Sequence, residues 1–246
     1  MAVSVARLPA HLAAEDGVLG LRAVKAASVT TIELPLQLEE VNGRQQSQIT
    51  TAHKETATKL DLQATHIVSS PYTDFANQLD LRTLDQQTRL FAFALTFLGP
   101  LCTDYATAPY MASFNWPAVF YHLRALCAQA SIQWERQEFY LVIFRSQLRQ
   151  GVDRDRLGQL DKESHREACE SGGLLKYWFG SCDGDMRNLA TCIWRNREDA
   201  AAGGRGPWHK KARNAAREMY ESIFFYTHKL VVEAGATEWR LEEYVE

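Results

Sequence analysis

The side chains best able to do chemistry in this 246-residue sequence lie mostly in its second half, and their types are those of acid/base and anion-binding work. His209 follows Trp208 where a helical pattern begins, and an imidazole moves protons near neutral pH. Tyr177 offers a phenol from the apolar run LLKYWFGSC, and Asp104 a carboxylate from the run CTDYATAPYMASF. These three are the candidate proton-moving groups. Arg145 and Arg205 are the candidate partners for an anion, and Trp178, Trp208, Thr191, Trp194, Tyr105 and Tyr110 the candidate lining of a pocket. Each also has a plainer reading: a surface His, a capping Asp, core aromatics, an Arg at the wet end of its strand.

The segment GGRGPWHKK at 203–211 runs a glycine loop into a helix start. Free N–H groups and the dipole favour an anion there, whereas Lys210, Lys211 and Arg213 sit where the dipole disfavours cations by ~0.3–1 kcal/mol each. A bound carboxylate or phosphate resolves that conflict; so does water, or pairing with Glu198 and Asp199. The Gly-x4-Gly-Lys-Ser/Thr, Gly-x-Gly-x-x-Gly, Gly-x-Ser-x-Gly and His-Glu-x-x-His signatures are absent, so the sequence offers no support for a P-loop, a dinucleotide fold, a serine-hydrolase elbow or a zincin. His165 and Cys169 share a helix face at i, i+4, but two ligands do not make a metal site, and neither metal nor cofactor is expected.

These residues must be positioned by secondary structure, and its order is readable. An aromatic and β-branched strand over 138–149 is followed by a helix over 153–171, which Asp153 can cap and Gly172-Gly173 ends. Strands over 174–182 and 188–196 flank the hairpin residues Asp183-Gly184-Asp185. A helix over 207–223 and a strand over 224–233 close the set. Strand, helix, strand, strand, helix, strand is the βαββαβ, ferredoxin-like order of an α+β fold: an antiparallel sheet with both helices on one face. Because the strands are apolar on both faces, something must bury the other one: the N-terminal half, a second copy of the chain, or both.

Upstream, the expectation is an Ala-rich mobile arm or a short helix at 8–14 within residues 1–28, a strand broken or bent at Pro35 over 29–40, and a polar loop or extended excursion over 42–64. Helices are expected over 83–98 and 115–130, the second with Asn115 as cap and Pro117 in its first turn. The domain boundaries are thus an arm at 1–28, an N-terminal extension at 29–135 and the ferredoxin-like unit at 136–240, with 29–240 one compact body.

Composition narrows the partners. The chain is 46% hydrophobic and 23% charged, with net charge -3, as in a soluble globular protein. The deficit lies in residues 1–135, with 9 basic against 12 acidic side chains. A nucleic-acid partner is not expected without a surplus of Lys and Arg. The longest apolar run, LFAFALTFLGPL, falls short of the ~20 residues that span a bilayer, so no membrane association is expected. Five cysteines without a Cys-x-x-Cys pair, and no leader pattern at the N-terminus, place the chain in the cytoplasm.

The runs GGLLKYWFG, NLATCIWRNREDA and GPWHKKARNAAREMYESI, with SSPYTDF, DYATAPY, FNWPAVF and WERQEFYLVIFRSQLR, resemble a protein family of filamentous fungi over residues 66–240. That family brings no reaction with it. More remotely, a strand ending in Trp194-Arg195, then Arg197-Glu198-Asp199 and a helix opening with His209, is similar to the dimeric α/β-barrel superfamily. The resemblance implies two ferredoxin-like units pairing their sheets, each with a small-molecule pocket between sheet and helices, and members that include cofactor-independent monooxygenases, dehydratases, isomerases and haem-binding enzymes. The long N-terminal half departs from that pattern and can cap the sheet instead.

The resulting expectation is a cofactor-free enzyme of secondary metabolism that isomerises, cyclises, dehydrates or oxygenates a hydrophobic small molecule, one that can carry a carboxylate, by acid/base and shape effects. The alternative is a non-catalytic module that binds a small molecule or a protein partner.

Overall fold

The computed structural model describes residues 61–244, of which 65–244 belong to one compact unit. The arm at 1–28, the strand at 29–40 and nearly all of the excursion at 42–64 lie outside the described residues. In chain order the elements are β1 (His66–Ile67), β2 (Leu79–Asp80), α1 (Gln86–Leu95), α2 (Tyr110–Ser113), α3 (Trp116–Gln129), β3 (Gln137–Leu148), α4 (Arg154–Ser171), β4 (Leu174–Phe179), β5 (Arg187–Trp194), α5 (Arg197–Gly203), α6 (Pro207–Met219), β6 (Tyr220–Val232) and β7 (Trp239–Glu243).

The main sheet is antiparallel with strand order β4-β5-β3-β6-β7. Its first four strands are the ferredoxin-like arrangement, with the two strands that begin and end the βαββαβ unit side by side at the centre. The helix caps follow the sequence: Asp153 accepts a hydrogen bond from the Arg156 N–H, and Asp85 from that of Thr88 at the start of α1.

Strand alternation divides the side chains between two faces. Tyr140 and Val142 of β3 join Cys192 and Trp194 of β5, Tyr177 of β4 and Phe225 of β6 on the face covered by α4, where they meet Ala168 and Cys169. Phe139, Leu141 and Ile143 point the other way, under a layer that includes α1 and α3. There Phe91 of α1 packs on Phe139 with ring centroids 4.4 Å apart, and Phe120 of α3 stacks on Trp239 at 4.3 Å. The N-terminal half is therefore what buries the second face.

Three boundaries differ from expectation. The final helix stops at Met219 and its strand begins at Tyr220, because Tyr220 to Ile223 complete the ladder opposite Leu148 and Ser146. A short α5 occupies the Arg197-Glu198-Asp199 segment, capped by the Asn196 side chain on the Asp199 N–H. β7 adds a fifth strand, joined to its neighbours by a closed ring of ion pairs from Arg136 to Glu138, Lys229, Glu242, Arg240, Glu233 and back to Arg136.

Candidate functional site

α4 presents Asp161, His165 and Cys169 at successive four-residue steps, so the three stack along one stripe of the helix. That stripe faces the sheet. The phenol of Tyr177 donates to Asp161 Oδ1 at 2.7 Å, and the phenol of Tyr72, from the segment between β1 and β2, donates to Asp161 Oδ2. Burial raises the Asp161 carboxyl above the usual carboxylate range, and the two phenols and the nearby His209 oppose that rise. Burial also raises both phenols, with the Asp161 charge adding to it. Both phenols thus keep their protons and donate them in hydrogen bonds to the Asp161 carboxylate in a poorly solvated place.

Desolvation here coexists with open surface. Asp161, Tyr72, Phe144, Phe179, Ala190, Cys192 and Ile223 keep accessible area although they lie against the middle of the sheet beneath α4. Burial nevertheless pushes up the Cys192 thiol, and it raises that of Cys169 to about 12. Groups enclosed by protein that still keep accessible area mark a partly open seam, the candidate crevice, between the sheet and α4. Its cysteines are thiols, not the thiolates that act as nucleophiles.

Two histidines border it. His209 Nδ1 lies 3.0 Å from Glu167 Oε2, and the same carboxylate accepts the backbone N–H groups of Trp208 at 2.7 Å and His209 at 3.0 Å. Glu167, reaching across from α4, is thus the anion at the start of α6 for which the sequence offered a bound ligand. Gly206 makes room for it: a Cβ there would fall 2.1 Å from Glu167 Oε2. Burial of Glu167 opposes ionisation, but its hydrogen bonds from Trp208 and His209 prevail and hold it below the usual carboxylate range. Because an ionised carboxylate only accepts, Nδ1 of His209 carries the ring proton and Nε2 is left with a lone pair. Burial keeps that ring neutral at lower pH than usual, against the pull of Glu167.

The sheet divides the other expected site residues. Tyr177, Trp194 and His209 lie on the α4 side, although Trp194 is spent in packing, its ring edge 2.3 Å from where a Cβ on Gly203 would stand. Trp208 packs into the seam of Leu160, Ala215 and Met219 between α4 and α6, with Lys211 over its ring at 3.8 Å, while Arg205 is exposed. Arg145, Trp178, Thr191, Tyr105, Tyr110 and Asp104 belong to the N-terminal side. There Arg145 donates to three backbone carbonyls, those of Tyr105 (3.2 Å), Ala106 (2.5 Å) and Ala108 (2.6 Å). It organises a loop and has no donor turned to the crevice. Tyr110 pairs with Thr191 at 2.9 Å, and Thr191 in turn donates to the Val142 carbonyl. Tyr105 donates to the Ser181 carbonyl and lies edge-on to Trp178, which also packs on Phe114. Asp104 is exposed, its carbonyl accepting the Thr107 and Ala108 N–H groups.

Sequence reasoning missed Asp161, Tyr72 and Glu167. The i, i+4, i+8 series of Asp161, His165 and Cys169 was the available signal for the first; Tyr72 is 89 residues from its partner and left none. No group of three or more metal-ligating side chains occurs among the described residues, and no helix among them is long and apolar enough to cross a membrane.

A family model described as PB2B2.08-like matches residues 68–243. The UPF0643 protein PB2B2.08 of Schizosaccharomyces pombe is 36% identical over 179 residues, covering 70% of this chain and 81% of that protein. Among solved structures, a Nitrosomonas europaea protein provisionally described as an antibiotic biosynthesis monooxygenase aligns with TM-score 0.32 and 13% identity, over 36% of this chain and 86% of its own. A Chloroflexus aurantiacus protein of the same provisional description aligns with TM-score 0.30 and 19% identity, over 44% and 94%.

Proposed function

The chain belongs to the PB2B2.08-like family, and for this member we propose an enzyme that moves protons on a neutral, hydrophobic small molecule bound in the crevice between β3–β5 and α4. The observation that carries this reading is Asp161, a carboxylate held between two phenols in aromatic surroundings. A carboxylate raised by burial is a better base than one in water, and once protonated it can return the same proton while the paired phenols hold it in place. His209, fixed by Glu167 with Nε2 free, is a second base at the same crevice. The nominated arginines are engaged or exposed elsewhere, which favours a substrate without a carboxylate. Isomerisation, cyclisation and dehydration all pass through such proton transfers, and a setting in secondary metabolism suits an apolar substrate.

The test is hydrogen–deuterium exchange at the carbon next to the carbonyl of 2-tetralone, a neutral bicyclic ketone, followed by proton NMR in D2O. The wild-type protein should accelerate exchange, Asp161→Asn should abolish the acceleration, and His209→Gln should reduce it by roughly a hundredfold, the lower end of general-base contributions. Exchange no faster than with the Asp161→Asn protein sinks the catalytic reading. Saturable binding of 2-tetralone without exchange would instead favour a ligand-binding module.

A further inference from the structure

His165 is 4% exposed and stands one turn beyond Asp161, its ring 5.3 Å from those of both Tyr72 and Tyr177. Its protonation pattern follows from its neighbours. The Asn77 side chain contacts both the Lys162 carbonyl, at 3.1 Å, and His165 Nδ1, at 2.9 Å, through the same atom. A carbonyl can only accept, so that atom is the amide nitrogen, and His165 Nδ1 must accept as well. The ring proton therefore resides on Nε2, the nitrogen farther from the backbone. Cys169 Sγ lies 3.7 Å from Nδ1 and 3.8 Å from Nε2. A sulfur equidistant from both ring nitrogens lines up with the N–H bond of neither, so Cys169 is a misdirected acceptor for the Nε2 proton.

A buried N–H whose acceptor is weak and misdirected forgoes most of a hydrogen bond, and a ligand oxygen beside it restores that bond. We propose that His165 Nε2 donates a hydrogen bond to a carbonyl oxygen of the bound molecule, and that Asn77 is the positioning residue that sets this tautomer. The two histidines then act in opposite senses, His165 as a donor through Nε2 and His209 as an acceptor through Nε2. A neutral ligand whose carbonyl oxygen meets His165 is held between the groups that would take and return its protons. This rests on the crevice being the site of the proposed function and adds the chemical class of what fills it: an apolar molecule bearing a carbonyl.

Two measurements test it. In protein carrying ¹⁵N-histidine, the ring nitrogen shifts of His165 should report the neutral Nε2–H tautomer at pH 6 to 8; an Nδ1–H tautomer or a charged ring there overturns the proposal with no variant needed. The second uses 9-fluorenone and fluorene, which share a ring system and differ by the carbonyl. On binding to the wild type the fluorenone carbonyl stretch should move to lower frequency. The ratio of fluorenone to fluorene affinity should fall about tenfold in His165→Phe, as expected for loss of one buried hydrogen bond. An unshifted band, or an unchanged ratio in a folded His165→Phe protein, removes His165 while leaving the crevice as a site. If neither compound binds, the inference falls together with the reading on which it rests. Should His165→Phe not fold, the wild-type band shift and tautomer decide the matter alone.

Discussion

Burial of His165 makes the protein sensitive to acid in a way that can be worked out in advance. Desolvation, with a smaller effect of His209, lowers the ring from 6.5 to about 4 in the folded chain. Below pH 6.5 the unfolded chain therefore binds a proton that the folded chain refuses, so stability from this group is full above 6.5 and is lost as the pH falls toward 4. At about 1.4 kcal/mol per unit, the loss between pH 7 and pH 5 is about 2 kcal/mol, rising to about 3 below pH 4. With a urea m-value of about 2 kcal/mol/M, that is a midpoint lower by about 1 M at pH 5 than at pH 7. The comparison is His165→Gln, which does not titrate and whose amide oxygen can accept from Asn77. His209 and His228, also lowered by burial, contribute equally to both proteins and cancel in the difference. Urea unfolding followed by circular dichroism at the two pH values should show the wild type losing about 2 kcal/mol more than His165→Gln. Equal losses would mean that the ring is charged in the fold, and the tautomer argument would go with it.

Other consequences concern the supports of the site. Glu167→Ala removes the acceptor of two backbone N–H groups and of His209, and should destabilise by about 2 kcal/mol at pH 7 in thermal melts. Since the folded Glu167 titrates below its unfolded value, this difference should be complete above about pH 4.5 and shrink as the pH falls through the folded value. Gly206→Ala should loosen the same junction by driving the Glu167 carboxylate away, seen as faster amide exchange at Trp208 and His209; unchanged exchange refutes the steric account. Arg145→Ala should cost about 3 kcal/mol and mobilise residues 104–109, with Arg145→Lys recovering only part, because an ammonium cannot fork across three carbonyls.

The βαββαβ order could be read directly, since each of its elements carries its own signal: Asp153 as a cap, Gly172 as a stop, alternation in YLVIF. The end of α6 could not. Glu221 and Ser222 continue a plausible helix, and what makes them strand is the partner ladder on β3, seventy-odd residues earlier. β7 has three charged residues to two apolar ones and owes its place to cross-strand charges that no local pattern displays. Within the site, alternation was the neglected rule. Tyr177 and Trp178 are adjacent on one strand and so cannot line the same pocket, and the same parity separates Thr191 from Trp194. Asp161 was hidden by its setting in a helix so rich in charge that one more carboxylate looked like solvent-facing surface.

The layer over the second face has a bearing on how the chain is made. Residues 86–135 leave the ribosome before the sheet is made, yet the sides of Phe91 and Phe120 that face it are covered when Phe139 and Trp239 arrive. At typical synthesis rates the strands through β7 follow over roughly 5–20 s. For that interval α1 and α3 hold an apolar side open to the cell, a period in which a holding chaperone has a surface to grip and a truncated product has nothing to shield it. A message cut short before β6 should therefore yield a fragment that aggregates more readily than the chain carrying β6 and β7.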